Sequence, residues 1–226
     1  MTYSLIIPVF NEERTLPTLI EKLYELDDEK IEIIIIDDGS DDSTKEMLLE
    51  NNRIISRRNK TNIGKGASII KGVNLASNEN IILFDGDLEV DVSEIPKLIL
   101  KYEENNSDVL SGARWGYNSS KQNYDINLFG NYLINMTFNF LFKSNFNDVL
   151  CCIKILKLEN FKSLNIKSKG FNIEVETMAK LVLNRSVIKE VEVKYKRRTT
   201  KEGKKLKLSD GWSIIWTILK LRFLIN

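Results

Sequence analysis

The stretch from Leu83 to Glu89 reads Leu83-Phe84-Asp85-Gly86-Asp87-Leu88-Glu89, and its apolar run stops abruptly on acidic residues. A short run of Ile, Leu and Phe is typical of a buried strand, and open α/β sheets bind ligands beyond the carboxyl ends of their strands. Gly86 removes a side chain between Asp85 and Asp87, so both carboxylates can converge on one hard cation that also holds phosphate oxygens. The alternative is a solvated acidic turn, but the position after an apolar strand favours a cation site.

Upstream, the same strand-then-acid order recurs in Ile33-Ile34-Ile35-Ile36-Asp37-Asp38-Gly39-Ser40. At the strand end, Asp37 and Asp38 are placed to accept hydrogen bonds from a nucleoside base or ribose. A separate turn, Asn62-Ile63-Gly64-Lys65-Gly66-Ala67, opens a predicted helix, and a phosphate can meet the backbone N–H groups of such a turn. Its spacing is neither that of a Walker motif nor that of a dinucleotide fingerprint.

Strand-like and helix-like segments alternate through the first half of the 226-residue chain. This alternation predicts an α/β fold, with a largely parallel central sheet and helices on both of its faces. Strands are predicted over residues 4–9, 31–36, 53–56, 81–84 and 108–111. A polar loop over 115–127 is followed by predicted helices over 128–142 and 174–183 and a strand over 187–195. The length suits one domain, assigned to residues 1–211, with an apolar helix over 212–226.

The composition excludes several kinds of site. Histidine is absent, which rules out histidine metal ligands, histidine general bases and every Ser-His-Asp or Cys-His arrangement. The two cysteines, Cys151 and Cys152, are neighbours and build neither a disulfide framework nor a zinc site. The N-terminus lacks the basic region and apolar core of a signal peptide. We therefore expect a cytoplasmic protein whose acid-base chemistry uses other side chains.

Four motifs together resemble, in their order and spacing, the family 2 glycosyltransferases. They are Ile7-Pro8-Val9-Phe10-Asn11-Glu12-Glu13, Asp37-Asp38-Gly39-Ser40, Asn62-Ile63-Gly64-Lys65-Gly66 and Asp85-Gly86-Asp87. Later matches, among them Asn147-Asp148 and the segment from Gly170 to Glu176, favour the branch of the polyprenyl- and dolichyl-phosphate sugar synthases. The resemblance implies a GT-A fold, a UDP- or GDP-linked sugar donor, a divalent cation (Mg²⁺ or Mn²⁺) and inversion at the transferred sugar carbon.

Carried over residue by residue, the resemblance places most of the site in a donor pocket. The donor-binding positions are Pro8, Phe10, Glu12, Asp37 or Asp38, and Lys65. Asp85 and Asp87 are implied as the cation and diphosphate site, with Glu89 as a further ligand.

The implied catalytic residues are Asp87, Arg114, Arg198 and Asp148. Arg114 and Arg198 resemble family positions that hold acceptor or donor phosphates. Asp148 is the first candidate for the general base that a hydroxyl acceptor requires, and Glu176 is the second. The other interpretation of Asp148 is a residue that positions the segment after it. The favoured acceptor is a polyprenyl phosphate, although no arginine lies between Arg114 and Arg185, where family members often hold the lipid phosphate. Transfer to a lipid or glycan hydroxyl, or nucleotide-sugar binding without catalysis, are the alternatives.

Residues 194–207 hold eight basic side chains and a single acid. The resemblance suggests that this segment folds over the donor diphosphate, with Lys204 and Lys205 neutralising charge beside Arg198. Nucleic acid is a poor partner for this segment, because its aromatic residues are not interleaved as stacking platforms.

The C-terminal residues 212–226 are apolar except for a narrow stripe. A helix of that length extends roughly 22 Å, too short to cross a hydrocarbon core of about 30 Å. Trp212 and Trp216, with flanking basic residues, suit a helix that lies in a membrane interface. We expect a protein that is peripheral on the cytoplasmic face of a membrane. The alternatives for the tail are packing on the domain and a homodimer contact.

Overall fold

The described part of the chain is built around one β-sheet. The computed structural model describes residues 1–26, 29–49, 53–114, 126–198 and 208–224. Within these residues seven strands form the sheet: β1 (Tyr3–Val9), β2 (Ile31–Asp37), β3 (Ile55–Arg58), β4 (Asn80–Leu83), β5 (Val109–Ala113), β6 (Lys154–Lys157) and β7 (Ile188–Glu192). The same ranges contain eight helices: α1 (Leu16–Glu25), α2 (Thr44–Leu49), α3 (Lys65–Leu75), α4 (Glu94–Glu104), α5 (Ile126–Phe142), α6 (Leu158–Ser163), α7 (Ile173–Leu183) and α8 (Leu208–Phe223).

The strands lie in the order β3-β2-β1-β4-β6-β5-β7. Neighbouring strands are parallel except in the two pairs that involve β6. Because β6 alone is reversed among these strands, the carboxyl ends of β1, β2, β4 and β5 meet at the same edge of the sheet. Ligand sites of open α/β sheets form at that edge.

Side chains of the strands alternate between two apolar cores, one on each face of the sheet. On β1, Leu5 and Ile7 belong to one core, whereas Ile6 belongs to the other. Helices α1 and α4 contribute to the first core, and α3, α6 and α7 contribute to the second. The prediction of a largely parallel sheet with helices on both faces is confirmed.

A third apolar core joins α5, α7 and α8. In α8, Ile214 and Ile218 are buried in this core together with Phe138 of α5 and Met178 of α7. The tail helix starts at Leu208, earlier than predicted, and packs on the domain through one of its faces. Across the described ranges, no helix is long and apolar enough to cross a membrane.

The largest difference from the predicted elements is β6. Its sequence, Lys154-Ile155-Leu156-Lys157, is short and has a lysine at each end, so only its pairing with β4 and β5 makes it a strand. The third predicted strand, over 53–56, lies instead at 55–58 on the sheet edge. Helix α5 begins at Ile126, inside the predicted polar loop, and residues 115–125 of that loop lie outside the described ranges.

Candidate active site

A cleft of about 770 Å³ lies at the carboxyl ends of β1, β2, β4 and β5. Ten of the predicted site residues line it: Pro8, Phe10, Glu12, Asp38, Lys65, Asp85, Asp87, Glu89, Arg114 and Arg198. Asp37 and Asp148 are not among its lining residues, and Lys204 and Lys205 fall outside the described part of the chain. The sheet edge thus gathers side chains from positions that are far apart in the sequence.

The acidic turn, residues 85–89, follows β4 directly and lines the cleft. A Cβ atom at Gly86 would come within 2.5 Å of Val9 Cγ1, so the close approach of this turn to β1 requires glycine. The Glu89 N–H donates to Asp87 Oδ1 at 3.0 Å. This bond closes the turn on itself and holds the Asp87 carboxylate at the cleft.

Negative charge is concentrated in the acidic turn. Burial and the neighbouring carboxylates of Asp85 and Glu89 raise the pKa of Asp87 to about 7. A divalent cation between Asp85 and Asp87 would offset this charge, and oxygen ligands suit Mg²⁺ or Mn²⁺. Among the residues the structure describes, no three Asp, Glu or Cys side chains are already grouped as metal ligands. The turn therefore fits a cation that two carboxylates share with oxygens from a bound ligand.

Lys65 stands beside these acids at the start of α3. Its Nζ lies 2.7 Å from Asp85 Oδ1 and 2.8 Å from Glu174 Oε1. Burial disfavours the charge of Lys65, but the carboxylates of Asp85 and Glu174 outweigh burial and raise its pKa well above the ordinary value. The cleft therefore holds a permanent ammonium next to the proposed cation ligands, where it can meet a phosphate.

Asp38 shapes the turn that leads to Lys65. Its carboxylate accepts hydrogen bonds from the backbone N–H groups of Ile63, at 3.0 Å, and Gly64, at 2.8 Å. Gly64 has a φ of 100°, which favours glycine. The carboxylate of Asp37 instead accepts hydrogen bonds from the turn after β2 and from β3. Of the two acids proposed for nucleoside binding, only Asp38 lines the cleft.

Residues 193–198, which we term the return segment, follow β7 and fold back over the acidic turn. Tyr195 OH donates to Glu89 Oε2 at 2.8 Å, and the backbone N–H of Arg198 donates to Glu89 Oε1 at 2.9 Å. The Glu89 carboxylate thus joins the acidic turn to the return segment. In its predicted role as a further cation ligand, Glu89 would share these oxygens between the cation and the two hydrogen-bond donors.

The return segment also places a guanidinium at the cleft. Arg198 Nη1 and Nη2 donate to the two carboxylate oxygens of Glu12 at 2.9 and 3.1 Å, and Nη2 lies 3.6 Å from Asp87 Oδ2. Arg198 Nε is buried without a hydrogen-bond partner in the described part of the chain. This unused donor suits an additional anionic group in the cleft.

Arg114 follows β5 and is held by Asp148, which is buried. Arg114 Nε donates to Asp148 Oδ2 at 2.7 Å and Nη2 donates to Oδ1 at 3.0 Å, while the Arg114 backbone N–H also donates to Oδ2. The guanidinium carbon lies 5.3 Å from the centre of the Tyr195 ring. A general base must reach the acceptor, so these contacts favour Asp148 as a residue that positions Arg114.

Sequence comparison identifies the family. The pattern described as Glycosyl transferase family 2 matches residues 4–192, which is most of the chain. The chain belongs to glycosyl transferase family 2. The predicted family is therefore confirmed, as is the prediction of an enzyme of the glycosyltransferase class.

Two relatives show how similar this family 2 chain is to known proteins. An uncharacterized protein of Methanocaldococcus jannaschii is 31% identical over 180 residues, which are 75% of this chain and 77% of that protein. The undecaprenyl-phosphate 4-deoxy-4-formamido-L-arabinose transferase of Proteus mirabilis is 36% identical over 109 residues. The second match covers 45% of this chain and only 33% of that transferase.

Solved structures confirm the GT-A fold. A structure of glucosyl-3-phosphoglycerate synthase from Mycobacterium tuberculosis, in complex with Mn²⁺, UDP and glucosyl-3-phosphoglycerate, is similar with a TM-score of 0.76 at 19% identity. That similarity covers 98% of this chain and 80% of the synthase. S. aureus TarS 1-349 in complex with UDP-GlcNAc has a TM-score of 0.63 at 17% identity, covering 98% of this chain and 66% of TarS.

Sequence reasoning missed four residues around the cleft of this family 2 enzyme: Phe171, Glu174, Tyr195 and Lys154. The first two lie in the 170–176 motif, for which the resemblance gave no role to Phe171 or Glu174. Phe171 lines the cleft, and its ring centre is 5.9 Å from Lys65 Nζ. A signal for Lys154 exists in Ile153-Lys154-Ile155-Leu156, where a charged residue interrupts an apolar run. A charge at such a position needs a buried partner.

Proposed function

We propose that this family 2 glycosyltransferase transfers a sugar from a nucleoside diphosphate sugar to a polyprenyl phosphate in the cleft. The observation that carries the proposal is the arrangement of charge around the acidic turn. The carboxylates of that turn lie between two cations, Lys65 and Arg198. Such a set suits a ligand that is itself a diphosphate bridged by a divalent cation.

Asp85 and Asp87 would hold the cation, with Glu89 as a further ligand, and Mg²⁺ or Mn²⁺ suits their oxygen atoms. When bound, the cation supplies stabilisation of the negative charge on the leaving diphosphate. The protein itself contributes Lys65 and Arg198, which would contact the diphosphate oxygens. The unpartnered Nε of Arg198 supports this role, as does the Mn²⁺ and UDP in the structurally similar synthase.

We place the nucleoside in the part of the cleft that Pro8, Phe10 and Asp38 line. UDP and UDP-GlcNAc in two similar structures make uridine nucleotides the first donors to test, and GDP-linked donors the second. Lys204 and Lys205 are proposed to neutralise the diphosphate from the segment that follows Arg198.

A polyprenyl phosphate acceptor is supported by the name of the Proteus mirabilis relative and by the position of Arg114. A phosphate acceptor is already ionised near neutral pH and needs no general base. Both oxygens of Asp148 accept hydrogen bonds from Arg114, which agrees with an acceptor that needs no general base. Arg114 is then the group that contacts the acceptor phosphate. An acceptor hydroxyl would instead require a carboxylate within hydrogen-bond reach.

The test combines UDP- and GDP-sugars, Mn²⁺ or Mg²⁺, and one of three acceptor conditions: undecaprenyl phosphate, a neutral polyprenol, or none. We expect transfer to the phosphate alone, abolished by EDTA. Transfer to the polyprenol but not to the phosphate would overturn the proposed acceptor. Donor binding with neither transfer nor hydrolysis in any condition would favour a non-catalytic nucleotide-sugar-binding protein.

We further propose that an aromatic face attaches the enzyme to the cytoplasmic surface of a membrane. This face consists of the exposed residues Tyr132, Met136 and Phe140 of α5 and Trp212 and Trp216 of α8. Phe140 is 82% exposed and Trp212 is 78% exposed, although both are large apolar side chains. Each helix presents these residues opposite its buried stripe in the third core.

We infer what the aromatic face binds from the charged residues near it. Residues 126–147 contain one charged side chain, Lys143, and the last turn of α8 adds Lys220 and Arg222. Tryptophan and tyrosine beside basic residues suit the interface of an anionic bilayer. Both helices also contribute cleft residues, Asn131 and Ile214, so attachment would bring the cleft close to a lipid acceptor.

Flotation with vesicles of phosphatidylglycerol and phosphatidylcholine tests the attachment. The variant W212S/W216S should lose most vesicle binding, whereas L100S, which removes an exposed leucine from α4, should bind like the wild type. Equal flotation of W212S/W216S and the wild type would contradict the proposal. A wild-type dimer that W212S/W216S disrupts, without vesicle binding by either, would assign the face to a homodimer.

A further inference from the structure

Behind the acidic turn lies a chain of alternating charges. Lys154 is 1% exposed, and its Nζ donates to Cys151 O and to Glu174 Oε2, the latter at 2.7 Å. Glu174 Oε1 lies 2.8 Å from Lys65 Nζ, which lies 2.7 Å from Asp85 Oδ1. We term Lys154, Glu174, Lys65 and Asp85 the buried charge chain. It runs from the interior of the sheet to a proposed cation ligand.

Regular structure fixes three members of this chain, and the fourth, Asp85, follows β4 in the acidic turn. Lys154 pairs in register with Leu83, the last residue of β4, so it stands directly beside the start of the acidic turn. Glu174 lies in the first turn of α7, where the helix dipole favours a carboxylate, and Lys65 is the first residue of α3. The relative positions of the four charges therefore follow from the packing of β6, α3 and α7 and from the short turn that β4 leads into.

We propose that Lys154 and Glu174 are positioning residues for the donor site. Lys154 holds the Glu174 carboxylate, Glu174 holds the Lys65 ammonium, and Lys65 in turn orients the Asp85 carboxylate. This inference rests on the proposed function, because it takes Asp85 as a ligand of the cation that binds with the donor.

The buried ion pairs of Lys154 and Glu174 orient the site more than they stabilise the fold. A buried ion pair is often no more stabilising than apolar side chains of similar volume, because desolvation offsets the attraction. Its effect lies in orientation: Glu174 has two carboxylate oxygens and gives one to each lysine. When a cation takes the Asp85 carboxylate, Lys65 still has Glu174 as a partner and stays at the cleft wall.

Loss of Lys154 alters this division of contacts. Glu174 Oε2 then lacks its charged partner in the interior, and both oxygens of Glu174 compete for the Lys65 ammonium. Lys65 shifts toward Glu174 and away from Asp85. The cation site changes even though Lys154 itself does not line the cleft.

The test uses Lys154→Met, which keeps an unbranched side chain one atom shorter, and Glu174→Gln, which keeps the shape of the side chain. The matched control is Lys180→Met, which removes another lysine that pairs with a glutamate of α7, Glu176 at 2.6 Å. Isothermal titration measures Mn²⁺ binding in the presence of UDP, and thermal melting measures stability. We expect K154M and E174Q each to weaken Mn²⁺ binding by about tenfold or more, the usual effect of removing a residue that orients a ligand.

The double variant K154M/E174Q should bind Mn²⁺ no more weakly than the worse single variant, because the two residues act through one path. Melting temperatures that fall while Mn²⁺ binding by the folded protein stays at the wild-type value would overturn the inference. So would an equal loss of Mn²⁺ binding in K180M.

A ligand-free measurement separates this inference from the proposed function. The ¹⁵N resonance of the Lys65 ammonium, assigned with Lys65→Arg, should shift in K154M and E174Q but not in K180M. If the wild type binds no Mn²⁺ with UDP while these shifts occur, the proposed function fails and the positioning of Lys65 stands. An unchanged Lys65 resonance in both variants would overturn the inference.

Discussion

The two flanks of the acidic turn are built in different ways. On one flank, Asp85 is held by the buried charge chain, whose other members lie on a strand and at the starts of two helices. On the other flank, Asp87 and Glu89 face the return segment. Among the described residues, the only β-bridge of this segment joins Tyr195 to Val90. One flank therefore depends on the core, and the other on irregular chain.

This difference suggests a division of labour within the cleft. Side chains fixed by strands and helices keep their geometry when a ligand binds, which preorganises the site. A segment held by a few polar contacts can exchange them, and Arg198 can give up Glu12 for a diphosphate. We therefore expect the buried charge chain to set the cation geometry and the return segment to respond to the donor.

The largest effect should come from the acidic turn that both flanks serve. Asp87→Asn removes a carboxylate that would hold the cation, and turnover should fall about 100- to 1,000-fold or more while the melting temperature stays near the wild-type value. Steady-state transfer with Mn²⁺ measures this loss. The control, Asp91→Asn, changes an acid outside the cleft lining. Wild-type turnover by D87N in the presence of a chelator would contradict the assignment.

The next prediction distinguishes the flanks. Arg198→Met should weaken UDP binding about 10- to 100-fold, because hydrogen bonds to charged groups contribute roughly 1.5–3 kcal/mol. Binding of Mn²⁺ without nucleotide should change little, since the buried charge chain is intact. The exposed neighbour Lys196→Met provides a control with the same change in net charge. K154M is measured without nucleotide as well, and if R198M weakens the binding of Mn²⁺ alone as much as K154M does, the proposed division between the flanks is wrong.

A smaller effect is expected on the acceptor side. Asp148→Asn leaves Arg114 with weaker contacts, so the KM for polyprenyl phosphate should rise about tenfold while donor affinity stays constant. The pH dependence of kcat should keep the same acidic limb, because Asp148 takes no proton from a phosphate acceptor. R114M/D148N should be no worse than R114M. Loss of the acidic limb in D148N would restore Asp148 as a general base.

The parts of the cleft also differ in how far the sequence predicts them. The acidic turn follows an apolar strand and the Lys65 turn has glycines that open a helix, so local sequence patterns located both turns, and parallel topology brought them together. The buried charge chain escaped prediction because Lys154 and Glu174 meet only after β6 and α7 pack, and the lysine at each end of β6 obscures its strand pattern. The sequence leaves the role of Asp148 open for the same reason. Its partner, Arg114, follows β5, whereas Asp148 lies in the connection between α5 and β6.

The smallest effect concerns an ion pair that belongs to neither flank. Its loss shows how much an exposed ion pair outside the cleft contributes to stability. Lys22 Nζ lies 2.7 Å from Asp91 Oδ2, and both side chains are about one third or more exposed. The hydrogen bond from Lys22 and those from Ser93 lower the pKa of Asp91 from 3.8 to about 2. Because this pKa is lower in the folded state, the ionised carboxylate stabilises the fold above about pH 4, and that contribution disappears as the pH falls toward 2.

After allowance for solvent screening, Asp91→Asn should cost at most about 1 kcal/mol of unfolding free energy at pH 7. For a chain of this size the melting temperature should fall by about 2–4 °C. Melting curves at pH 7 and near pH 2 measure both limits, and the gap between D91N and the wild type should close at the lower pH. Turnover at pH 7 should not change, in contrast to K154M. A gap that persists near pH 2 would show that Asp91 stabilises the fold through contacts other than its charge.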